Sequence, residues 1–206
     1  PVPLLTEGMV THHEPVRVNP DLAGVQWERY GAFLRDAGWT IVEVEPADDC
    51  PDAVFVEDAV VVFDDLAVIT RPGADSRRAE TAGAEAAARA AGLEIVHIHA
   101  PATFDGGDVL KVGRTAYVGS SARTSADGIE QLRAVLAPRG WQVVAVPVTS
   151  VLHLKSAVTA LPEGTVVGHP DHVDDPGSFR DFMAVPEPAG AHVVLLDGGR
   201  LLMASG

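Results

Sequence analysis

One form recurs four times in this chain and leaves few folds open to it: a short apolar run, a polar turn, then a second apolar run. The copies are "DAVVVFDDLAVIT" (58–70), "DVLKVGRTAYVGS" (108–120), "SAVTALPEGTVVG" (156–168) and "HVVLLDGGRLLMA" (192–204), with turns DD, GR, PEG and DGG. Two apolar runs flanking such a turn predict a β-hairpin. The intervals between the copies also recur. "NPDLAGVQWERYGAFLRDAG" (19–38) opens on an Asn cap followed by Pro and closes on Gly38, the start and stop of a helix. "SRRAETAGAEAAARAAG" (76–92) is Ala-rich and ends on Gly92, again a helix with a glycine stop. "SADGIEQLRAVLAPRG" (125–140) places Ile129, Leu132, Val135 and Leu136 at helical spacing. Each helix leads into one predicted strand: "WTIVEVEP", "LEIVHIHA" and "WQVVAVPV". The fourth interval has a poor helix, "DPGSFRD", but keeps a strand in "FMAVPEP". The chain thus reads as helix, strand and hairpin repeated four times. Such units cannot bury their faces alone, so they pack side by side or close into a ring. The order is not a plain alternation of helix and parallel strand, which argues against a Rossmann sheet within the α/β class.

Composition narrows the function classes. A formal net charge of -14 over 206 residues argues against nucleic acid and suits a cationic small molecule. No run of 18 apolar residues exists, so no membrane span is predicted. "PVPLL" lacks the basic start of a secretory signal. The single cysteine, Cys50, rules out an intrachain disulfide framework and fits a reducing, cytoplasmic setting. Among the eight histidines, pairs occur in "THH" (11–13) and "VHIHA" (96–100). Neither HExxH nor a zinc-type Cys/His spacing is present, so no metal is expected. Without GxGxxG or Walker A, no nucleotide cofactor is expected either.

Polar residues recur at corresponding places of the repeat. "PDAVFVED" (51–58) puts Asp52, Glu57 and Asp58 where the first hairpin is entered, beside Phe55. Carboxylates are seldom buried without a partner. They either cap turns and pair with local arginines, or receive a planar guanidinium, whose fork of donors they accept bidentately. The matching stretch before the second hairpin is "PATFDGGDVL" (101–110), with Asp105 and Asp108, in which Asp108 aligns with Asp58. Before the third hairpin, "SVLHLKSAV" places His153. An aspartate near a histidine is the orienting partner that general acid–base work requires. Arg77 and Arg123 follow the first and second hairpins at matching positions. An arginine opposing a helix N-terminal dipole is an odd choice for a plain surface charge, and two such arginines could bind a carboxylate. The implied ligand carries a cation at one end and a carboxylate at the other, as arginine and its relatives do.

"PDAVFVED", "ITRPGADSRR", "FDGGDVLKVG", "SSARTSADG" and "VLHLKS", in this order, resemble the dimethylarginine dimethylaminohydrolases of the amidinotransferase (pentein) superfamily. The resemblance runs from "LLTEGMVTHHE" to "GRLLMASG", essentially the whole chain. It implies a five-bladed α/β propeller of ββαβ units around a central active site. Residues 1–206 would form a single pentein domain, incomplete at the C-terminus and a few residues short at the N-terminus. The implied chemistry is hydrolysis of a methylated arginine to citrulline and a methylamine through a cysteine thiolate. His153 would then be the general acid–base, and Asp105 its partner or a guanidinium ligand. Asp52, Glu57 and Asp58 would line the guanidinium and amino-group site, and Arg77 and Arg123 would grip the α-carboxylate. Phe55 and the backbone near Met9 would shape the pocket. The family nucleophile lies in a "GGxTCLS"-type segment beyond the "GRLLMASG" motif, so it is expected outside these residues. Cys50 does not coincide with it, and Asp48, Asp49 and Asp52 beside it disfavour a thiolate. A small cationic amino acid is the expected partner, no cofactor is implied, and a homodimer is left open. The alternatives are an arginine deiminase or amidinotransferase, and, in another class, a non-catalytic pentein scaffold.

Overall fold

A lone hairpin buries little apolar surface; the strand laid beside it is what gives it a core. The computed structural model describes residues 4–9, 18–196 and 199–203, and in it three of the four hairpins gain such a strand. The chain divides into two compact units, one of residues 1–69 and 74–96 and one of residues 70–73 and 97–206.

In the first unit, α1 (Pro20–Asp36) starts from Asn19, whose side chain accepts a hydrogen bond from the Leu22 N–H at 3.1 Å. A short turn of helix, α2 (Val56–Ala59), leads into β1 (Val60–Phe63), which pairs antiparallel with β2 (Leu66–Ile69) in the register Val60 to Ile69 and Phe63 to Leu66. Asp64 turns the hairpin with φ +54, a left-handed conformation that aspartate tolerates better than most residues. All four residues of β2 are buried, because it is the middle strand of the sheet, between β1 and β3 (Glu94–His97), and α3 (Thr81–Ala90) packs on it. A 3-10 segment, Asp75–Glu80, precedes α3. Its threefold winding stacks residues i and i+3, which sets Arg77 over Glu80.

The second unit repeats the pattern. β4 (Val109–Val112) pairs antiparallel with β5 (Thr115–Ser120), and β5 pairs in parallel with β6 (Gln142–Pro147). Parallel neighbours need a long crossover, here α4 (Ala126–Leu136), which buries Ile129, Leu132 and Leu136. β7 (Val158–Ala160), β8 (Val166–Gly168) and β9 (Phe182–Ala184) follow the same antiparallel-then-parallel plan. Their crossover is made of 3-10 turns, Pro170–His172 and Pro176–Ser178, as the poor helix signal there foretells. Phe179 from that crossover lies 5.1 Å from the Tyr117 ring, and the Tyr117 hydroxyl accepts from the Arg180 N–H at 3.2 Å. β10 (Val193–Leu195) and β11 (Leu201–Met203) form the fourth hairpin; residues 197 and 198 of its expected turn lie outside the described residues, as does "THH".

The structure changes the phase of the repeat. The sequence groups helix, strand and hairpin, whereas each three-stranded sheet joins a hairpin to the strand that follows it. Adjacency in sequence gives no phase; parallel pairing of the post-helix strand with the hairpin does. "WTIVEVEP" (39–46) was expected as a strand and is not one. Its residues pair with no strand among the described residues, and a strand without a partner leaves its backbone groups unsatisfied. No helix of the described residues is long and apolar enough to cross a membrane.

Candidate active site

In the first unit, the approach to the hairpin is a series of tight turns from Cys50 to Asp58, which turns Asp52 and Asp58 inward and leaves Phe55 and Glu57 exposed. Asp52 accepts from the Met9 backbone N–H at 3.2 Å, while the Met9 side chain is exposed. Asp58 is buried and sits 2.6 Å from Arg77. The same guanidinium reaches Glu80 at 2.7 Å and donates to the carbonyls of Asp52 and Phe55 at 3.2 and 3.4 Å. It also lies 5.9 Å from the centre of the Phe55 ring.

Asp58 and Arg77 were each expected to face a ligand; here each is the other's partner. Burial disfavours the charged form of Arg77, but the hydrogen bonds it donates to Glu80 and Asp58 outweigh this and hold the guanidinium charged more firmly than usual. Glu80 is pushed up by burial, against the pull of Arg77 and with the push of Asp52 and Asp58. Two buried carboxylates, Asp58 and Glu80, thus share one guanidinium, leaving an excess of negative charge. Cys50 is buried, with Sγ 3.7 Å from the Ser76 carbonyl. Burial raises its thiol, as do Glu80, Asp49 and Asp52, while Arg77 lowers it. A thiol so placed is not an activated nucleophile.

The second unit holds the other expected residues. Asp105 is fully buried at the start of the 3-10 turn Gly106–Asp108. Its Oδ1 accepts from the Gly73 N–H at 2.7 Å, and its Oδ2 lies 3.1 Å from His153 Nε2 and 3.6 Å from Arg123 Nη1. Gly73 must be glycine for this approach, since a Cβ there would stand 2.5 Å from the Arg123 carbonyl oxygen. His153 is buried in extended backbone just before the 3-10 turn Leu154–Ser156. Arg123 Nη1 is buried and has no hydrogen-bond partner among the described residues. A buried imidazole oriented by a carboxylate can take and give a proton. An arginine donor left without a partner can accept an anion.

Three residues at these places escaped the sequence reading, Glu80, Ser121 and Thr124, and Asp108 was given no role in it. Glu80 follows Arg77 by three, a spacing that signals a pair. Asp108 aligns with Asp58 but lies in "DGGD", which reads as a turn.

A family model described as arginine deiminase matches residues 42–192. The N(G),N(G)-dimethylarginine dimethylaminohydrolase of Streptomyces coelicolor is 60% identical over 205 residues, covering 100% of this chain and 80% of that protein. The chain belongs to the dimethylarginine dimethylaminohydrolase family. A family member from Pseudomonas aeruginosa is 35% identical over 192 residues, 91% of this chain and 74% of its own. Among solved structures, a cysteine-to-serine variant of the Pseudomonas aeruginosa enzyme complexed with citrulline superposes with TM-score 0.90 at 32% identity, over 100% of this chain and 82% of that one. The N-terminal domain of ArgZ, an arginine dihydrolase from cyanobacteria, shares the fold at TM-score 0.78 and 20% identity, over 95% and 75% of the two chains. These likenesses place the chain in the amidinotransferase (pentein) superfamily, with an α/β fold of ββαβ-like units.

Proposed function

We propose that this protein hydrolyses the guanidinium of an N-methylated L-arginine, giving citrulline and a methylamine, with dimethylarginine as the preferred substrate. The reading takes residues 1–206 as part of one pentein domain, a five-bladed propeller. The observation that carries it is the arrangement on Asp105: His153 at 3.1 Å, and Arg123 with an unpartnered donor beside it. The 60% identical relative supports the choice of substrate.

The residues take the following roles. Arg123 binds the substrate α-carboxylate. Asp52, Glu57 and Asp58 provide the negative charge that favours a guanidinium, and Arg77 holds Asp58 and Glu80 in place as well as contributing to amino-acid recognition. Phe55 and the Met9 backbone shape that region. A cysteine thiolate attacks the guanidinium carbon, and the carbon–nitrogen bond to dimethylamine breaks as His153 delivers its proton to the departing nitrogen. Water then adds to the thiouronium carbon, His153 takes the water proton, and the thiolate leaves to give citrulline. This reading does not assign that thiolate to Cys50, which is buried and whose thiol burial raises. The nucleophile of this reading comes from a segment outside residues 1–206.

The test is incubation of the full native chain with asymmetric dimethylarginine and measurement of citrulline and dimethylamine. His153→Ala should lower turnover by about 10²–10⁴-fold, the usual worth of general acid–base catalysis, with the far-UV circular dichroism unchanged. Surviving turnover removes His153 from the mechanism. Faster turnover of plain arginine than of dimethylarginine points instead to an arginine deiminase. Binding without product points to a scaffold.

A further inference from the structure

Every residue assigned to the second unit's chemistry is reached, through one intervening residue, from a single carboxylate that carries no role in the reaction. Asp108 is fully buried, and its Oδ1 accepts from the Leu154 N–H at 2.9 Å, the residue directly after His153. Its Oδ2 accepts from the Ser121 hydroxyl at 2.7 Å. Ser121 Oγ in turn accepts from the backbone N–H groups of Arg123 and Thr124, at 3.0 and 3.1 Å. The Thr124 hydroxyl also bonds to Asp108, while its oxygen accepts from the Asp105 N–H at 3.1 Å. Asp105, Arg123 and His153 lie on three separate stretches of chain, and Asp108 is tied to each. There is no slack at the hub, because a Cβ on Gly119 of β5 would collide with Asp108 Oδ1.

We propose that Asp108 is a positioning residue, which sets His153 and Arg123 at their distances from the shared Asp105 carboxylate. The inference rests on the functional reading above. Geometry carries it: with two oxygens, a carboxylate accepts from three donors at once, and no other ionised side chain of this size does so. An asparagine in its place keeps one acceptor and turns an N–H₂ toward Ser121 Oγ, whose lone pairs already receive two backbone donors. With the N–H₂ turned to the Leu154 side instead, it faces the Leu154 N–H donor to donor; the His153 arm then loosens, and the imidazole leaves the sub-ångström alignment that proton transfer demands. The Ser121 arm governs Arg123, so its loss acts on substrate binding.

The experiment compares Asp108→Asn, Ser121→Ala and Ser121→Thr in the full native chain, with thermal midpoints recorded alongside kinetics on asymmetric dimethylarginine. Asp108→Asn should lower kcat by about tenfold or more and raise KM. Ser121→Ala should raise KM about fivefold with kcat within about twofold, and Ser121→Thr, which keeps the hydroxyl, should restore the wild-type KM. A merely structural role would lower the midpoint without this split between KM and kcat. Folded Asp108→Asn with wild-type constants overturns the inference. If Asp108→Asn does not fold, the serine pair decides, and wild-type kinetics in Ser121→Ala overturns it. If the wild-type chain makes no citrulline, the functional reading fails instead. The inference is then read from the ¹H–¹⁵N imidazole signals of His153, which Asp108→Asn must shift and, if unchanged, refute it.

Discussion

At the scale of single residues, Arg77 and Arg123 show how one sequence signal can have two physical meanings. Both follow a hairpin at matching positions, and both read as candidates for a carboxylate clamp. In the structure Arg77 sits between Asp58 and Glu80, whereas Arg123 Nη1 stays 3.6 Å from Asp105 without a hydrogen bond. Alanine at each position should therefore fail differently. Arg77→Ala leaves buried Asp58 and Glu80 uncompensated and should cost about 3–5 kcal/mol of stability, measured by urea unfolding. Arg123→Ala should cost less stability, because Asp105 keeps the Gly73 N–H and His153, but raise KM for dimethylarginine more than for a decarboxylated analogue. Equal rises for both compounds would remove the carboxylate role from Arg123. The proximity of Asp105 and His153 was legible because the repeat puts them at equivalent points. The choice of Arg77 by Asp58 was not, because burial and distance decide it, and neither is encoded in spacing.

At the scale of elements, caps and stops were the most readable features. Asn19 and Ser125 both cap as their residue types predict, with Ser125 Oγ accepting from the Gly128 N–H at 3.2 Å. Gly38, Gly92 and Gly140 end their helices with positive φ. What the pattern hid is why Gly128 lies inside α4, where glycine weakens a helix. A Cβ there would strike the Thr103 carbonyl oxygen, and the same stretch is tied to α4 by the Ser125 N–H donating to that oxygen. Gly128→Ala should accordingly destabilise by about 1–3 kcal/mol, as overpacking does, despite alanine's better helix propensity. A thermal midpoint that rises instead would show the Thr103 segment to be more yielding than its contacts imply. The segment 39–46 marks the opposite limit: its alternation of apolar and polar residues is strand-like, yet a strand exists only with a partner.

At the scale of the whole molecule, the fourfold repeat was plain from the sequence, and all four hairpins lie where the turns place them. Global stability should also carry the imprint of the buried acids. Burial raises the Asp108 carboxyl above its usual range, against the pull of His153, Thr124, Ser121 and the Leu154 N–H. A carboxyl raised on folding binds its proton more tightly folded than unfolded. Its contribution is complete below the unfolded value, near pH 4, and is lost as pH rises through the folded one. The stability of the wild type relative to Asp108→Asn should thus decline with rising pH across that window and then level off, in urea titrations at stepped pH. A difference independent of pH would mean that the carboxylate is not desolvated. A last consequence follows from the path of the chain between β2 and α3. Residues 70–73 belong with the second unit although residues on both sides of them belong with the first. Arg71 there accepts the Phe104 N–H on its carbonyl, and Gly73 donates to Asp105. No single cut can therefore separate the two units intact: a gene split after residue 96 would strand both of these contacts on the wrong fragment. Exchange of parts between relatives should succeed only when "RPG" travels with "FDGGD".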